Sequence, residues 1–405
     1  MKAKFLVMLF FLGFIFSITV FAKTKAELKP VGIKLYHFEI QGRTAPVAVW
    51  YPAVKPGNKP FDYNKQADGT AFLDVEPDRS SGPYPLILFS HGLGGCGFQS
   101  IYYVENLVRA GYVVASMDHK DAAMCAMEGK PKVGAGKIML ATLKSGMDLT
   151  STVVMLFKDS VSDLDFRYRP LDIRQLLDRV LELNKTEPGL KGLINPDKIG
   201  MTGHSLGGFT TLAIAGADYD CVDPSKWPES TCQQVDEMLA NKDKLKPGEF
   251  KLDDLSTASC CLSFFKGQHV SFKDPRVDAA LALAPPNFFP KGGFGAIKMP
   301  LMIITGTGKF EVPFEPLQMG YDELAAPKYL LHLKGVDHMT ITDVAYKMVP
   351  ARLVLPGFRS KFPMKKEIYE NFSRAFFDGY LKGDKKSLEY IKDPHYPLVD
   401  LQAKP

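Results

Sequence analysis

A serine between glycines lies near the middle of the chain, in residues 203–208, which read Gly-His-Ser-Leu-Gly-Gly. An apolar run precedes this segment and a run of small and apolar residues, 209–215, follows it, so the pattern predicts a sharp turn from a strand into a helix. The glycines remove side chains that would cover the serine hydroxyl. Ser205 is therefore the predicted nucleophile, and the backbone N–H of Leu206 is a predicted donor to an oxyanion.

A serine nucleophile needs a base that accepts its proton and a carboxylate that orients this base. Among eight histidines, His338 lies just beyond a predicted strand, Lys328 to Lys334, on the sheet edge where the loops after parallel strands gather. We therefore predict His338 as the base. The other histidines, His91 and His204 included, are predicted to have structural roles.

The carboxylate is less well determined by the sequence. Glu311 is the acidic residue nearest to the end of another predicted strand, Pro300 to Thr305, and its long side chain can reach His338 from a shifted loop. Glu311 is the predicted third member of the triad, while Glu315, Asp337 or an acid from another strand stays open as an alternative.

A second glycine-rich segment, residues 91–95 (His-Gly-Leu-Gly-Gly), follows the continuous apolar run Pro85 to Ser90. Such a run is typical of a strand buried on both faces of a parallel sheet. Glycines let the backbone after that strand approach a substrate without a side-chain clash. The N–H groups of Leu93 and Leu206 are therefore the predicted oxyanion hole, in which each donor is typically worth about 3 to 4 kcal/mol in the transition state.

Strand-like and helix-like segments alternate along the chain, which predicts an α/β fold with a mostly parallel eight-stranded sheet and helices on both faces. The predicted strands are 33–40, 46–51, 85–90, 112–117, the strand that enters the elbow, 277–284, 300–305 and 328–334. Helices are predicted at 101–110, from Pro170, after the elbow and at about 365–380. Residues 218–273 are too many for an ordinary connection and predict an inserted cap or rim over the site.

The N-terminus has the pattern of a secretory signal peptide. Lys2 and Lys4 precede an uncharged apolar run, and residues 20–22 offer the small residues that a signal peptidase reads. We predict removal of residues 1–22, which leaves one hydrolase domain, 23–405, secreted or periplasmic and without a stable membrane anchor; an uncleaved anchor is the alternative. Because the segment holds two lysines and no acid, its removal lowers the net charge from +5 to +3, and this small excess gives no case for nucleic-acid binding.

Export makes the six cysteines candidates for disulfide bonds. Cys96 and Cys125 follow two successive predicted strands, so we predict that they pair at one edge of the sheet. Two further bridges are predicted within the insertion, whose four cysteines are Cys221, Cys232, Cys260 and Cys261. The vicinal pair among them lacks the spacing of a zinc site, and no metal is predicted.

Several segments of the chain, taken together, resemble one known family. They are residues 50–52, 89–95, 111–121, 169–173 and 203–208. They look like the platelet-activating factor acetylhydrolase branch of the α/β-hydrolases and its bacterial relatives, often called predicted dienelactone hydrolases and similar to polyester-degrading cutinase-like enzymes. The resemblance implies the α/β-hydrolase fold and a serine esterase that needs no metal or cofactor. It places Ser205 and His338 at catalytic positions and the amides of Leu93 and Leu206 in the oxyanion hole.

Two features depart from that family. Dienelactone hydrolases use a cysteine nucleophile, so Ser205 argues against their substrate. The acetylhydrolases carry an Asp after the sixth strand, where residues 284–287 here read Ala-Pro-Pro-Asn, and related hydrolases often place an Asp where this chain has Lys309. Both usual acid positions thus lack a carboxylate, so either Glu311 substitutes or the triad is incomplete.

The sequence thus predicts an exported serine hydrolase that cleaves carboxylic esters with a short acyl group, in a small-molecule or lipid substrate. One alternative is a lipase or phospholipid deacylase, with residues 218–273 as an interfacial lid. The other is a non-catalytic ligand-binding protein on a hydrolase scaffold, which the missing standard acid motivates.

Overall fold

The computed structural model describes residues 29–146, 152, 156, 164–223, 229–240, 258–308, 310–325, 327–343 and 362–404. The predicted signal peptide lies outside these residues, as do Lys309 and parts of the predicted insertion. Across the described ranges, no helix is both long enough and apolar enough to cross a membrane.

Twelve strands lie in this part of the chain. They are β1 (Val31–Ile40), β2 (Arg43–Pro52), β3 (Phe72–Leu73), β4 (Tyr84–Ser90), β5 (Val113–Met117), β6 (Ile194–His204), β7 (Asp218–Asp220), β8 (His269–Ser271), β9 (Ala279–Leu283), β10 (Leu301–Gly306), β11 (Lys328–Leu333) and β12 (Val399–Lys404). Ten of them form one sheet in the order β12-β11-β10-β9-β6-β4-β5-β2-β1-β3, and β7 pairs with β8 alone.

The middle of the large sheet is parallel, and an antiparallel strand flanks it on each side; at one edge the two-residue strand β3 pairs with β1 in the parallel direction. Strands β5, β4, β6, β9, β10 and β11 are joined by parallel pairings. Strands β2 and β12 flank them in the antiparallel direction. The prediction of a mostly parallel sheet is confirmed, with all eight predicted strands present.

The sheet has two strands that the sequence analysis did not predict. Strand β3 is two residues long, too short for a periodic signal. Strand β12 alternates apolar with polar residues (Val-Asp-Leu-Gln-Ala-Lys), which is the pattern of an edge strand and was available in the sequence.

The helices cover both faces of the sheet. They are α1 (Ile101–Arg109), α2 (Ala135–Lys144), α3 (Tyr168–Thr186), α4 (Leu206–Ala215), α5 (Glu229–Ala240), α6 (Glu315–Glu323), α7 (Phe362–Lys382) and α8 (Lys385–Lys392). Buried side chains of β4 alternate between two apolar clusters: Leu86 and Leu88 pack with residues of α3 and α4, while Ile87 and Phe89 pack with residues of α1 and α7. A strand buried on both faces requires this double coverage, which explains its continuous apolar sequence.

Three disulfide bonds pair the six cysteines, as Cys96–Cys125, Cys221–Cys260 and Cys232–Cys261. The predicted set, one bridge beside the sheet and two in the insertion, is confirmed. The described part of the insertion begins and ends against helix α4, because Ala217 N–H donates to Leu212 O at 2.9 Å and Asp274 N–H to Ile214 O at 3.1 Å.

Candidate active site

Ser205 lies on a strained turn between strand β6 and helix α4. Its φ and ψ are 57° and −120°, and side-chain-bearing residues rarely adopt a positive φ. Two glycines allow this turn: a Cβ on Gly207 would lie 1.9 Å from the Ser90 carbonyl oxygen, and a Cβ on Gly203 would lie 2.4 Å from the Gly207 carbonyl oxygen. The elbow therefore packs against the end of strand β4 at a distance that leaves room only for hydrogen atoms.

His338 and Glu311 are in direct contact. His338 begins a short 3-10 helix after strand β11, and its Nδ1 lies 2.7 Å from Glu311 Oε1, with both side chains at least 96% buried (3% and 4% exposed). The backbone N–H groups of Gly306 and Val312 donate to the Glu311 carboxylate at 3.2 and 2.9 Å. Because a carboxylate only accepts hydrogen bonds, this contact assigns the ring proton to Nδ1 and leaves Nε2 free to accept a proton.

The other acids considered for this role lie elsewhere. Glu315 is the first residue of helix α6. Asp337 lies close to Gly308, where an added Cβ would approach its Oδ1 to 2.0 Å, and burial raises the pKa of Asp337. In the part of the chain that the structure describes, Glu311 is the only carboxylate that hydrogen-bonds the His338 ring.

No hydrogen bond among the described residues joins the Ser205 hydroxyl to the His338 ring. The Ser–His contact of such sites is often long without substrate and tightens in the Michaelis complex. The two residues are nevertheless linked through the elbow, since the rings of His204 and His338 lie 4.6 Å apart between centroids.

Gln99 connects the glycine-rich loop after β4 with the loop of His338. Its side-chain oxygen accepts from Gly92 N–H at 2.9 Å, and its side-chain amide lies 2.9 Å from His204 Nδ1. His204 Nε2 in turn lies 2.9 Å from the His338 carbonyl oxygen. Burial, and then the proximity of His338, lowers the pKa of His204 well below its usual value, so this ring is neutral and bridges the two loops. The sequence analysis expected a structural role for His204 and missed Gln99.

The predicted oxyanion donors belong to the two segments that meet at Ser205. Leu206 is the first residue of helix α4, and Leu93 follows Gly92, at which an added Cβ would lie 3.2 Å from Ser205 Cβ. Neither the Leu93 nor the Leu206 N–H donates to another group of the described chain. Two backbone amides without partners beside a serine hydroxyl are suited to bind an oxyanion.

A buried polar network lies beneath this loop. His119 places Nδ1 2.7 Å from Asp172 Oδ2 and Nε2 2.9 Å from Ser90 Oγ. Burial, and then the charge of Arg169, lowers the pKa of His119, although Asp172 opposes the shift. Among the described residues, no three His, Cys, Asp or Glu side chains are grouped as metal ligands would be. Its members were visible in the sequence only as parts of the family resemblance.

An aromatic cavity lies between helix α4 and the insertion. Its aromatic lining residues are Phe166, Phe209, Tyr219, Phe265, Phe272 and Phe288. Phe209 is one turn beyond Ser205 on the elbow helix, and its N–H donates to the Ser205 carbonyl oxygen at 3.0 Å. The described part of the insertion thus lies beside the elbow helix, and the cap or rim over the site stays a prediction.

The strand order, with a serine elbow between β6 and α4 and a histidine after β11, is that of the α/β-hydrolase fold. A solved structure titled as a ferulic acid esterase from Streptomyces cinnamoneus superposes with a TM-score of 0.56, over 93% of this chain and 97% of that one, at 21% sequence identity. At this identity the likeness shows the fold, and the predicted fold class is confirmed.

Within that fold, residues 72–222 match the family described as platelet-activating factor acetylhydrolase, isoform II. Platelet-activating factor acetylhydrolase from Bos taurus is 29% identical over 160 residues, and that from Canis lupus familiaris is 31% identical over 153 residues. Each match covers 35% of this chain and 34% of the relative, so the chain spans about a third of the length of these curated relatives. The chain thus has the α/β-hydrolase fold and is similar to the platelet-activating factor acetylhydrolases, as the motifs predicted, over the segment that holds Leu93 and Ser205.

Proposed function

We propose that this protein is a serine hydrolase that cleaves carboxylic esters through Ser205, His338 and Glu311. The observation that carries the proposal is the 2.7 Å contact between His338 Nδ1 and Glu311 Oε1, made between two buried side chains on separate loops. This contact supplies the acid that both usual positions lack. Together with the strained elbow and two unused amides beside it, the contact supports a complete triad rather than a binding scaffold.

The chemistry follows from these positions. Ser205 Oγ attacks the ester carbonyl while its proton passes to His338 Nε2, and Glu311 stabilises the imidazolium through Nδ1. The carbonyl oxygen becomes negative and is bound by the N–H groups of Leu93 and Leu206. His338 then protonates the leaving alcohol, and a water molecule, deprotonated by the same ring, releases the acyl group from the serine. This sequence requires no metal and no cofactor.

The proposed substrate is a small-molecule or lipid ester with a short acyl group. Support comes from the similar acetylhydrolases, whose name refers to the removal of an acetyl group. The three disulfide bonds support an exported enzyme, because such bonds persist in oxidising compartments. We propose a secreted or periplasmic location, after removal of residues 1–22.

The proposal is tested by labelling the purified protein with a fluorophosphonate and mapping the modified peptide by mass spectrometry. We expect labelling at Ser205, with loss of both labelling and ester hydrolysis in Ser205→Ala. The matched control is Ser387→Ala, a substitution on helix α8 that leaves both unchanged. Full activity of Ser205→Ala would refute the mechanism, and folded wild-type protein without labelling would favour the ligand-binding scaffold.

A kinetic comparison separates a short-acyl esterase from a lipase. We expect the rate of hydrolysis of a soluble acetyl ester to saturate with its concentration in the ordinary way. With a longer ester, we expect no step in the rate at the concentration where this ester forms micelles. A jump in rate above that concentration would instead assign residues 218–273 to an interfacial lid.

A further inference from the structure

Arg169, near the start of helix α3, holds the backbone just before Leu93. Its guanidinium is fully buried and donates from Nη1 to the His91 carbonyl oxygen and from Nη2 to the Gly92 carbonyl oxygen, the latter at 3.2 Å. A buried charge is costly unless it is paired, and here the partner is Asp121, whose Oδ2 lies 2.5 Å from Nη2. Arg169 therefore fixes two successive carbonyl groups of the loop.

Asp121 holds the same loop on the other side of Leu93. Its Oδ2 accepts from the Gly94 N–H at 2.9 Å, and its Oδ1 accepts from the Tyr168 hydroxyl at 2.8 Å. Burial alone would raise the pKa of Asp121, but the charge of Arg169 and the smaller contributions of neighbouring groups, the Gly94 N–H among them, together outweigh burial and lower this pKa below its usual value. The carboxylate is thus ionised, and the ion pair forms hydrogen bonds with the peptide group before Leu93 and with the peptide group after it.

The orientation of the Leu93 N–H follows from these hydrogen bonds. Gly92 O accepts from three donors, which are Arg169 Nη2 at 3.2 Å, His91 Nδ1 at 2.7 Å and Gly95 N–H at 3.0 Å. In a trans peptide the C=O and the following N–H point in opposite directions. Because the Gly92 carbonyl points at Arg169, the Leu93 N–H points away from it.

The same loop lies against the nucleophile. Gly92 approaches Ser205 so closely that an added Cβ would lie 3.2 Å from Ser205 Cβ. We propose that the Arg169–Asp121 pair positions the oxyanion hole, because it holds the peptide planes around Leu93 and so aims the Leu93 N–H at the developing oxyanion. This inference rests on the proposed ester hydrolysis.

A second observation distinguishes this role from simple stabilisation. Arg169 Nε is buried and has no hydrogen-bond partner among the described residues. An unsatisfied buried donor destabilises a fold, and an apolar pair of the same volume would avoid that cost. The guanidinium is nevertheless well suited to hold two adjacent carbonyl groups at once, since its N–H donors form a rigid planar fork that a lysine cannot reproduce.

The test is Arg169→Lys, which keeps the charge opposite Asp121 and loses the fork. With a soluble acetyl ester we expect kcat to fall about 100-fold, the range seen when one oxyanion donor is lost, while KM changes less than about threefold. We also expect a comparable loss of affinity for a trifluoromethyl ketone, whose adduct with serine carries an oxyanion. A structural role would not weaken binding of this inhibitor selectively.

Two further variants keep the test decisive. Asp121→Asn removes the charge and keeps an oxygen acceptor for Gly94, so we expect a smaller loss of kcat and of affinity for the trifluoromethyl ketone. This variant tests the proposal even if Arg169→Lys fails to fold. Arg276→Lys is the matched control, since Arg276 forms a similar fork with Asp274, Nε to Oδ1 at 2.9 Å and Nη2 to Oδ2 at 2.6 Å, near the far end of helix α4. We expect wild-type kinetics for this control.

The outcomes separate this inference from the proposed function. If wild-type protein is labelled at Ser205 and folded Arg169→Lys or Asp121→Asn keeps wild-type kcat and inhibitor affinity, the positioning role is overturned while the esterase proposal stands. If folded wild-type protein is neither labelled nor active, the proposed function fails, and the positioning role fails with it.

Discussion

The two halves of the candidate site are built from different parts of the polypeptide. Around Ser205 and Leu93 the working groups are a hydroxyl on a strained turn and two backbone amides, and glycines set the spacing. Around His338 the working groups are side chains, which reach each other across two loops. Residues 72–222, the segment that matches the acetylhydrolase family, contain the first half, whereas His338 and Glu311 lie beyond it.

This difference determines which half could use functional groups from other positions in the chain. A backbone amide cannot be supplied from another position without moving the chain, so the turn and the loop after β4 must keep their backbone geometry. A carboxylate can be supplied from any position whose side chain reaches the base. Glu311 has a longer side chain than the Asp of related hydrolases, and it reaches His338 from two residues further along the loop than the position of Lys309.

The largest effect is expected from disturbing the backbone half. Gly207→Ala would place a Cβ 1.9 Å from the Ser90 carbonyl oxygen, so we expect loss of the folded elbow and of all fluorophosphonate labelling. Gly136→Ala on helix α2 is the control, because no atom lies within 4 Å of an added Cβ there. Labelling of Gly207→Ala at the wild-type rate would contradict the idea that backbone spacing builds this half.

In the side-chain half we expect Glu311→Gln to lower kcat about 1,000-fold with little change in KM. An amide cannot stabilise the imidazolium and can favour the wrong tautomer of the ring, and comparable triad substitutions are this costly. Glu315→Gln is the control and is expected to leave the steady-state kinetics unchanged.

A double variant tests whether the acid can act from another position in the same loop. We expect Lys309→Asp to restore about tenfold of the kcat lost in Glu311→Gln, because related hydrolases carry an Asp at that position. Residue 309 precedes Phe310, whose carbonyl oxygen accepts the His338 N–H at 2.7 Å. A double variant no faster than Glu311→Gln would show that this half, too, depends on one position.

The disulfide bonds probe the two halves through stability. Cys96 follows the loop that carries Leu93, whereas Cys232–Cys261 lies in the insertion. We expect Cys96→Ser with Cys125→Ser to lower the free energy of unfolding by about 2 to 4 kcal/mol and also to reduce kcat. Removing Cys232–Cys261 is expected to lower stability without the loss of kcat. Both variants are compared under conditions where urea unfolding shows that they are folded, and an equal loss of kcat in the two would contradict this difference between the halves.

The smallest effect is a dependence of stability on pH. Burial lowers the pKa values of His91 and His204 in the folded protein, while both rings titrate near pH 6.5 when unfolded. Below that pH the unfolded chain binds protons that the folded chain excludes, so stability falls as pH falls, by about 1.4 kcal/mol for each ring at pH 5.5. Urea unfolding at pH 7.5 and 5.5 measures this loss of stability, and His204→Gln should make the loss smaller by the contribution of one ring, about 1.4 kcal/mol. Exposed His395→Gln should leave it unchanged.

Local patterns predicted most of the fold. The eight strands and the helices that cover them came from apolar runs and helical spacing, and the missed strands β3 and β12 lie at the two edges of the sheet, where little apolar sequence is needed. The nucleophile elbow was equally local, since a serine between glycines at a strand-to-helix boundary occupies a few consecutive residues. The cysteine pairs followed from the prediction of export and from their grouping in the chain.

The helices and strands, the serine between glycines and the two groups of cysteines could therefore be predicted from the order of the residues, because these features depend on neighbouring residues. The folded structure determined which carboxylate contacts His338, since Glu311 and His338 are 27 residues apart and only the arrangement of two loops brings them together. It also decided the role of Arg169, which lies 78 residues from the His91 carbonyl that it holds. A charged side chain at a helix start is ordinary in sequence, and only the packing of the helix against the loop after β4 turns it into the support of two peptide groups.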